Sequence, residues 1–207
     1  MACHLQHEET LWGEGCRFVA GLDEAGRGPL AGPVVAAAVV LPEDFDLPGL
    51  DDSKKLRPEQ RQRLYEALIA DTRVVWACGR AEVEEIDRLN ILRASWLAME
   101  RALQSLPRSP DCVLVDGLQV PVLRYRQWAL VGGDGISLSI AAASVIAKVV
   151  RDEIMIEFGR RHPGYGFEWH KGYGTKKHLA CLARLGPCPL HRRSFRPVAQ
   201  LTFDFGD

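Results

Sequence analysis

Hydrophobic and polar positions follow two periods along this chain. Phe18-Val19-Ala20-Gly21-Leu22 and the Val- and Ala-rich run at 34–41 are short apolar stretches joined by a Gly-rich turn, and they predict strands over 17–23 and 33–41. Pro42, Pro48 and Gly49 mark a loop. Pro58 opens a predicted helix to Ala70 with Leu64 and Leu68 on one face, although Arg57 before it is a poor N-cap. Residues 73–78 predict a third strand. Val83, Ile86, Leu89, Leu92, Trp96, Met99, Leu103 and Leu106 recur at steps of three and four and predict one long helix, ended by Pro107 and Pro110. Residues 112–115 and 128–131 read as short buried strands. Residues 138–158 read as a helix whose small face, Ala141, Ala142, Ala143 and Ala147, lets it lie close to a sheet. A Gly- and aromatic-rich loop at 159–174 precedes a last helix, 175–185, closed by Gly186-Pro187. Strands first, then strands alternating with helices, predict an α/β chain with a mixed sheet and helices packed on it.

Three predicted strand ends carry acids. Leu22 leads into Asp23-Glu24, Val115 into Asp116, and Val131 through two glycines into Asp134. Any one of these is ordinarily a turn residue or a cap. Together they bring four carboxylates to the region where open sheets bind ligands. Asp23-Glu24-Ala25-Gly26-Arg27-Gly28 places two acids side by side before a Gly-flanked turn. Adjacent carboxylates repel and a cation lowers that cost, which points to Mg²⁺ or Mn²⁺ beside a backbone loop that can approach an anionic substrate. The hexamer alone also allows a charged turn in solvent. Neighbours on a strand face opposite sides, so Asp23 and Glu24 reach one ion only if the strand ends or bends there. Four carboxylates outweigh one divalent ion; two ions roughly 4 Å apart suit in-line hydrolysis of a phosphodiester. No P-loop pattern occurs, which argues against an NTPase.

The composition narrows the partners. A chain of 207 residues with 47% hydrophobic residues can fold as one domain with a real core. The net charge of −1 conceals an asymmetry, for residues 160–196 hold nine Lys or Arg and one acid, Glu168. A basic segment on an acidic body suits a protein that grips phosphates beside a metal site; a solubilising basic surface is the other reading. The six cysteines are irregularly spaced without a CxxC, and Cys112 reads as a small core residue. Cys181, Cys188 and His191 lack an evident fourth zinc ligand. The apolar run at 34–41 is too short to span a membrane. No basic region followed by an apolar core stands at the N-terminus, so a cytoplasmic chain without a signal peptide is expected. No spare apolar face stands out, which makes a monomer the expectation.

DEAGRGPLAGPVVAAAVVLP, DDSKKL, VLVDG, GGDGISLSIAAASVIAKVVRD, HPGYGFEWHKGYGTKKH and HRRSF occur in this order. From Glu9 to Val198 the chain closely resembles bacterial ribonuclease HII, the type 2 ribonuclease H. The resemblance implies a ribonuclease H-like fold, a mixed central sheet flanked by helices with a helical C-terminal extension. It divides the chain into an arm (1–16), a catalytic domain (17–158), a basic substrate-binding extension (159–198) and a tail (199–207). It implies hydrolysis of the RNA strand of RNA–DNA hybrids and incision of duplex DNA 5′ to single embedded ribonucleotides, leaving a 3′-hydroxyl and a 5′-phosphate, as in ribonucleotide removal from DNA. Asp23, Glu24, Asp116 and Asp134 would ligate two Mg²⁺ or Mn²⁺ ions, with Asp152 in support. The backbone of Gly26-Arg27-Gly28 and the side chain of Tyr173 would read the 2′-hydroxyl, the group that distinguishes ribose. Arg27, Lys54, Lys55, Lys171, Lys176, Lys177, Arg184, Arg192 and Arg193 are candidate phosphate contacts. His170 contacts phosphate or shapes its loop. The arm before Leu11, with Cys3, His4 and His7, lies outside the pattern. Gln200, Leu201, Phe203 and Phe205 resemble the short peptides that dock on the bacterial sliding clamp; a tail strand tucked onto the body is the alternative.

Overall fold

The computed structural model describes residues 3–203, with side chains as far as Gln200. Five strands, β1 (Val19–Ala25), β2 (Val34–Val40), β3 (Val75–Ala81), β4 (Cys112–Asp116) and β5 (Arg126–Leu130), form one sheet in the order β3-β2-β1-β4-β5. β1, β2 and β3 pair antiparallel, whereas β4 and β5 join parallel. The helices are α1 (Gln6–Gly13), α2 (Pro58–Ala70), α3 (Val83–Leu89), α4 (Ile91–Gln104), α5 (Leu138–Arg161), α6 (Phe167–His170), α7 (Lys176–Leu185) and α8 (Arg196–Phe203). This is the mixed α/β sheet that the pattern predicts.

Helices cover both faces of the sheet. Leu22, Ala36 and Val115 pack against Ala94, Ala98 and Ala102 of α4, while Ala37 and Val39 meet the alanines of α5. β2 is buried at every position, which is why it reads as a continuous apolar run without alternation. The small face of α5 does press on the sheet. A β-carbon added at Gly21 would stand 2.2 Å from the Ser139 carbonyl carbon, so only glycine fits there.

Several predicted elements are redrawn. The single long helix over 83–106 is two helices. Asn90 sits between them at φ 71° and ψ 163°, a strained conformation for a residue other than glycine, and its side-chain oxygen caps α4 by accepting from the Arg93 amide at 3.1 Å. The apolar spacing continues across the break, so periodicity could not show it. At α2, Gln60 makes up for Arg57 by accepting the Arg57 amide at 3.1 Å. Cys112 is buried as predicted, but it is bonded to Cys16, 96 residues away, rather than being a free thiol. α8 runs across residue 199, so the C-terminal segment continues as helix rather than as a strand. No helix among the described residues is long and apolar enough to cross a membrane.

The basic extension is tied back to the turn after β1. The Leu30 amide donates to the Gly172 carbonyl at 2.8 Å, Gly32 to Leu190 at 2.9 Å, and Arg192 to Leu30 at 2.8 Å.

Gly21→Ala should destabilise the protein by about 3 kcal/mol, since the backbone of α5 must retreat from the sheet. Urea denaturation checks this, and a variant as stable as the parent would show that α5 has slack at this point.

Candidate active site

The sheet itself assembles the acids. β1 and β4 pair in parallel from Val19↔Cys112 to Leu22↔Val115, and one further step sets Asp23 beside Asp116 on the same face. Leu22 and Val115 belong to the core on the α4 side, so Asp23 and Asp116 face α5. Asp134 reaches them from a 3₁₀ turn, Gly133–Gly135, that links β5 to α5. One carboxylate oxygen from each of Asp23, Asp116 and Asp134 lies within 4.8 Å of the others.

Glu24 departs from the expected grouping. β1 does not stop before the acids, since Asp23 pairs with Ala37 and Glu24 with Ala36. Strand alternation therefore turns Glu24 toward α4. Its Oε1 accepts from Arg27 Nη1 at 3.2 Å, and it lines a cleft of about 190 Å³ with Arg27, Leu92, Trp96, Asp116 and Leu118. Asp116, at the open end of β4, borders both the aspartate cluster and this cleft.

The turn after β1 stands beside Tyr173. A β-carbon built on Gly28 would lie 3.9 Å from the tyrosine ring. Gly26 adopts φ 102°, and a side chain there would strike Arg151. The ring is partly exposed, at the edge of a cleft of about 450 Å³ lined by Arg61, Lys148, Asp152, Trp169 and Lys171. Two buried arginines hold this region. Arg151, which no sequence pattern singled out, donates to the carbonyls of Pro33, Ala31 and Lys171 at 3.0, 3.2 and 3.1 Å. Arg192 is not a phosphate contact. It is fully buried, and its guanidinium donates to the carbonyls of Gly26, Arg27, Pro29 and Gly32 at 2.6–3.0 Å. Nothing in its neighbourhood along the chain separates it from the exposed Arg193.

The chain matches the family model described as Ribonuclease HII over residues 20–198. The chain belongs to the ribonuclease HII family. It is 55% identical over 196 residues to the Ribonuclease HII of Anaeromyxobacter sp. (strain Fw109-5), covering 95% of this chain and 62% of that relative, less than two thirds of its length. It is 54% identical to the Ribonuclease HII of Syntrophotalea carbinolica, covering 95% of this chain and 93% of the relative. The ribonuclease H2 of Pyrococcus horikoshii shares the fold with a TM-score of 0.69 at 26% identity, over 91% of this chain and 99% of that one. Ribonucleases HII are metal-dependent endonucleases that hydrolyse the RNA strand of RNA–DNA hybrids.

The electrostatics of this ribonuclease HII site favour a cation. Burial, then the charges of Glu24 and Asp116, hold the Asp23 carboxyl well above the ordinary range. Burial raises Glu24 against the opposing pull of Arg27, and burial followed by the Asp134 charge raises Asp116. Asp116 Oδ1 is buried with no hydrogen-bond partner among the described residues. Clustered carboxylates with one orphaned oxygen are a donor set for a hard divalent ion. Lys54, expected at a phosphate, partly fills that role by pairing with Asp134 at 3.0 Å. Lys55 pairs instead with Asp51 at 2.9 Å.

The other predicted residues fall around this centre. Asp152 accepts from Lys148 at 2.6 Å and lies outside the aspartate cluster. Lys171 lines the Tyr173 cleft, and Lys176, Lys177, Arg184 and Arg193 are exposed. His170 shapes its loop, with Nε2 donating to the Tyr165 carbonyl at 2.8 Å and Nδ1 accepting from the Gly172 amide at 3.2 Å. His178 holds the carbonyl of Tyr173 at 2.9 Å and is itself bonded to His191 at 3.1 Å. His191 Nδ1 meets Cys188, so both of its nitrogens are engaged and no zinc cluster with Cys181 forms among the described residues. Gln200 is exposed on α8, while the side chains of Leu201 and Phe203, and all of Phe205, lie outside the described residues.

A carboxyl whose pKa rises on folding contributes stability below its unfolded value and loses it as pH rises through the folded one. Metal-free protein at neutral pH is therefore destabilised by its own aspartates. Asp23→Asn keeps an oxygen for the Glu24 amide and should raise the metal-free unfolding temperature by about 2–4 °C at neutral pH. The gain should vanish as pH falls toward about 4. The same variant should lose most of the stabilisation that Mn²⁺ gives the parent. Thermal unfolding with EDTA and with Mn²⁺ checks both, and a less stable variant that Mn²⁺ still stabilises fully would contradict the assignment.

Proposed function

We propose that this chain incises duplex DNA on the 5′ side of single embedded ribonucleotides and hydrolyses the RNA strand of hybrids, using two divalent ions and leaving a 3′-hydroxyl and a 5′-phosphate. The observation that carries this reading is the closeness of Gly28 to Tyr173, whose ring lies 3.9 Å from the place a β-carbon on Gly28 would take, a few residues along the chain from the buried Asp23. A sugar-reading group must touch the sugar next to the phosphate that is cut. Because Arg192 occupies the carbonyls of this turn, its N–H groups are what remain to meet a 2′-oxygen, with the tyrosine hydroxyl as the second donor.

Asp23, Asp116 and Asp134 would hold one Mg²⁺ or Mn²⁺ ion, and Glu24 with Asp116 the second, Asp116 being the residue common to both groups. When bound, such a pair supplies an activated water and stabilises the leaving 3′-oxygen. Lys54 offers a cation that can follow the phosphate once Asp134 is occupied. Arg27, Lys171, Lys176, Lys177, Arg184 and Arg193 position the duplex by its phosphates without reading sequence, so binding weakens steeply with salt. Sliding-clamp docking through Gln200, Leu201, Phe203 and Phe205 is proposed for the C-terminal segment, and a pull-down that is unchanged after deletion of 199–207 would remove it.

Cleavage of a duplex with one ribonucleotide, compared with its all-DNA twin, tests the function. Incision only at the ribonucleotide is expected with Mg²⁺ or Mn²⁺; equal cutting of both, or none with either ion, would overturn the reading. Asp134→Asn should lower turnover by more than about 100-fold, beyond the loss of a mere outer partner, while duplex binding persists. Tyr173→Phe should lower kcat/KM about tenfold, the worth of one hydrogen bond, with unfolding unchanged.

A further inference from the structure

The N-terminal arm, which no motif claims, closes over the segment that carries Asp134. Glu8 of α1 is 1% exposed. Its Oε1 accepts from the Ser137 hydroxyl at 2.6 Å, the Ser139 amide at 2.9 Å and the Ser139 hydroxyl at 2.6 Å. Ser137 is the N-cap of α5 and Ser139 lies in its first turn, so this carboxylate sits on the positive end of a 24-residue helix. His4 brackets the same junction with its backbone. Its N–H donates to the Ile136 carbonyl at 3.0 Å and its carbonyl accepts from the Leu138 amide at 3.2 Å. The Cys3 thiol donates to the Asp134 carbonyl at 3.5 Å.

Capping alone does not account for Glu8. The Ser137 hydroxyl already accepts the Ile140 amide at 3.2 Å, which satisfies the helix start locally. A buried carboxylate is costly unless its hydrogen bonds are fixed, so three short bonds to one junction hold that junction in one place. Asp134 lies three residues before Ser137, on the turn between β5 and this helix start. We propose that Glu8 is a positioning residue for the metal site: through Ser137 and Ser139 it fixes the start of α5, and with it the place of Asp134. The proposal rests on the reading of Asp134 as a ligand. Glu8 itself touches neither ion nor substrate.

The test uses the full chain, with Mn²⁺ affinity read by electron paramagnetic resonance and kcat and KM measured on the single-ribonucleotide duplex. Glu8→Ala should weaken Mn²⁺ binding and lower kcat by about tenfold each, the effect of losing an outer-shell partner, with KM within about twofold of the parent. Glu8→Gln should restore both, because its amide oxygen can accept the same three bonds and Oε2 has no hydrogen-bond partner among the described residues. Parental Mn²⁺ affinity and kcat in Glu8→Ala would overturn the proposal, as would a Glu8→Gln variant as impaired as the alanine. Should Glu8→Ala fail to fold, Ser139→Ala carries the test, with a smaller loss of Mn²⁺ affinity expected and an unchanged affinity overturning it. Asp134→Asn separates the two claims. Parental Mn²⁺ binding in that variant would remove the ligand reading, whereas its loss there with none in Glu8→Ala would remove only the positioning role.

Discussion

Arg192 lies fully buried and spends its guanidinium on carbonyl oxygens between Gly26 and Gly32. Burial, reinforced by the like charge of Arg151, lowers its pKa to about 9. A charge so placed is tolerated only while those carbonyls stay aimed at it. The turn after β1 is thereby held in one shape by a residue from the far end of the chain. Arg151 adds a second brace from α5 and extends it to the carbonyl of Lys171, two residues from Tyr173. The turn after β1 and the loop that carries Tyr173 thus share one framework. Arginine suits this position because its five donors form a fixed fork, which a lysine ammonium cannot imitate.

The carboxylates obey a different constraint. Parallel pairing of β1 with β4 sets Asp23 and Asp116 on one face, and strand alternation sends Glu24 to the other. The site is consequently two-sided, with Asp116 at the sheet's open end between its halves. Burial and mutual repulsion hold Asp23, Glu24 and Asp116 in a state that a divalent cation relieves. The folded chain stores an unfavourable arrangement there, as groups tuned for function commonly do.

Much of this was legible in the sequence, for reasons that differ by residue. β2 and α5 were readable from their runs of small apolar residues, and the three aspartates because each follows an apolar run, although β5 before Asp134 is only half-buried rather than the buried strand expected. Glu24's separation was foreseeable as a condition, since alternation was known, but not as an outcome, since the strand's end was not. The Asn90 break hid inside an uninterrupted apolar period. Arg192 reads as a surface cation because it stands in a basic segment, whereas its burial is a property of the tertiary contact it makes across more than 150 residues. Glu8 is not legible because its partners, Ser137 and Ser139, lie about 130 residues away along the chain.

The arginines hold the turn and strand pairing sets the carboxylates, so the two can be uncoupled. Arg192→Lys keeps the charge and loses the fork. Incision at a single ribonucleotide, measured with the Mn²⁺ affinity of the same preparation, is the most direct test. The account predicts kcat/KM lower by about 100-fold, roughly two charged hydrogen bonds, with Mn²⁺ affinity unchanged. Parental incision, or a loss of Mn²⁺ affinity equal to the loss of incision, would contradict it.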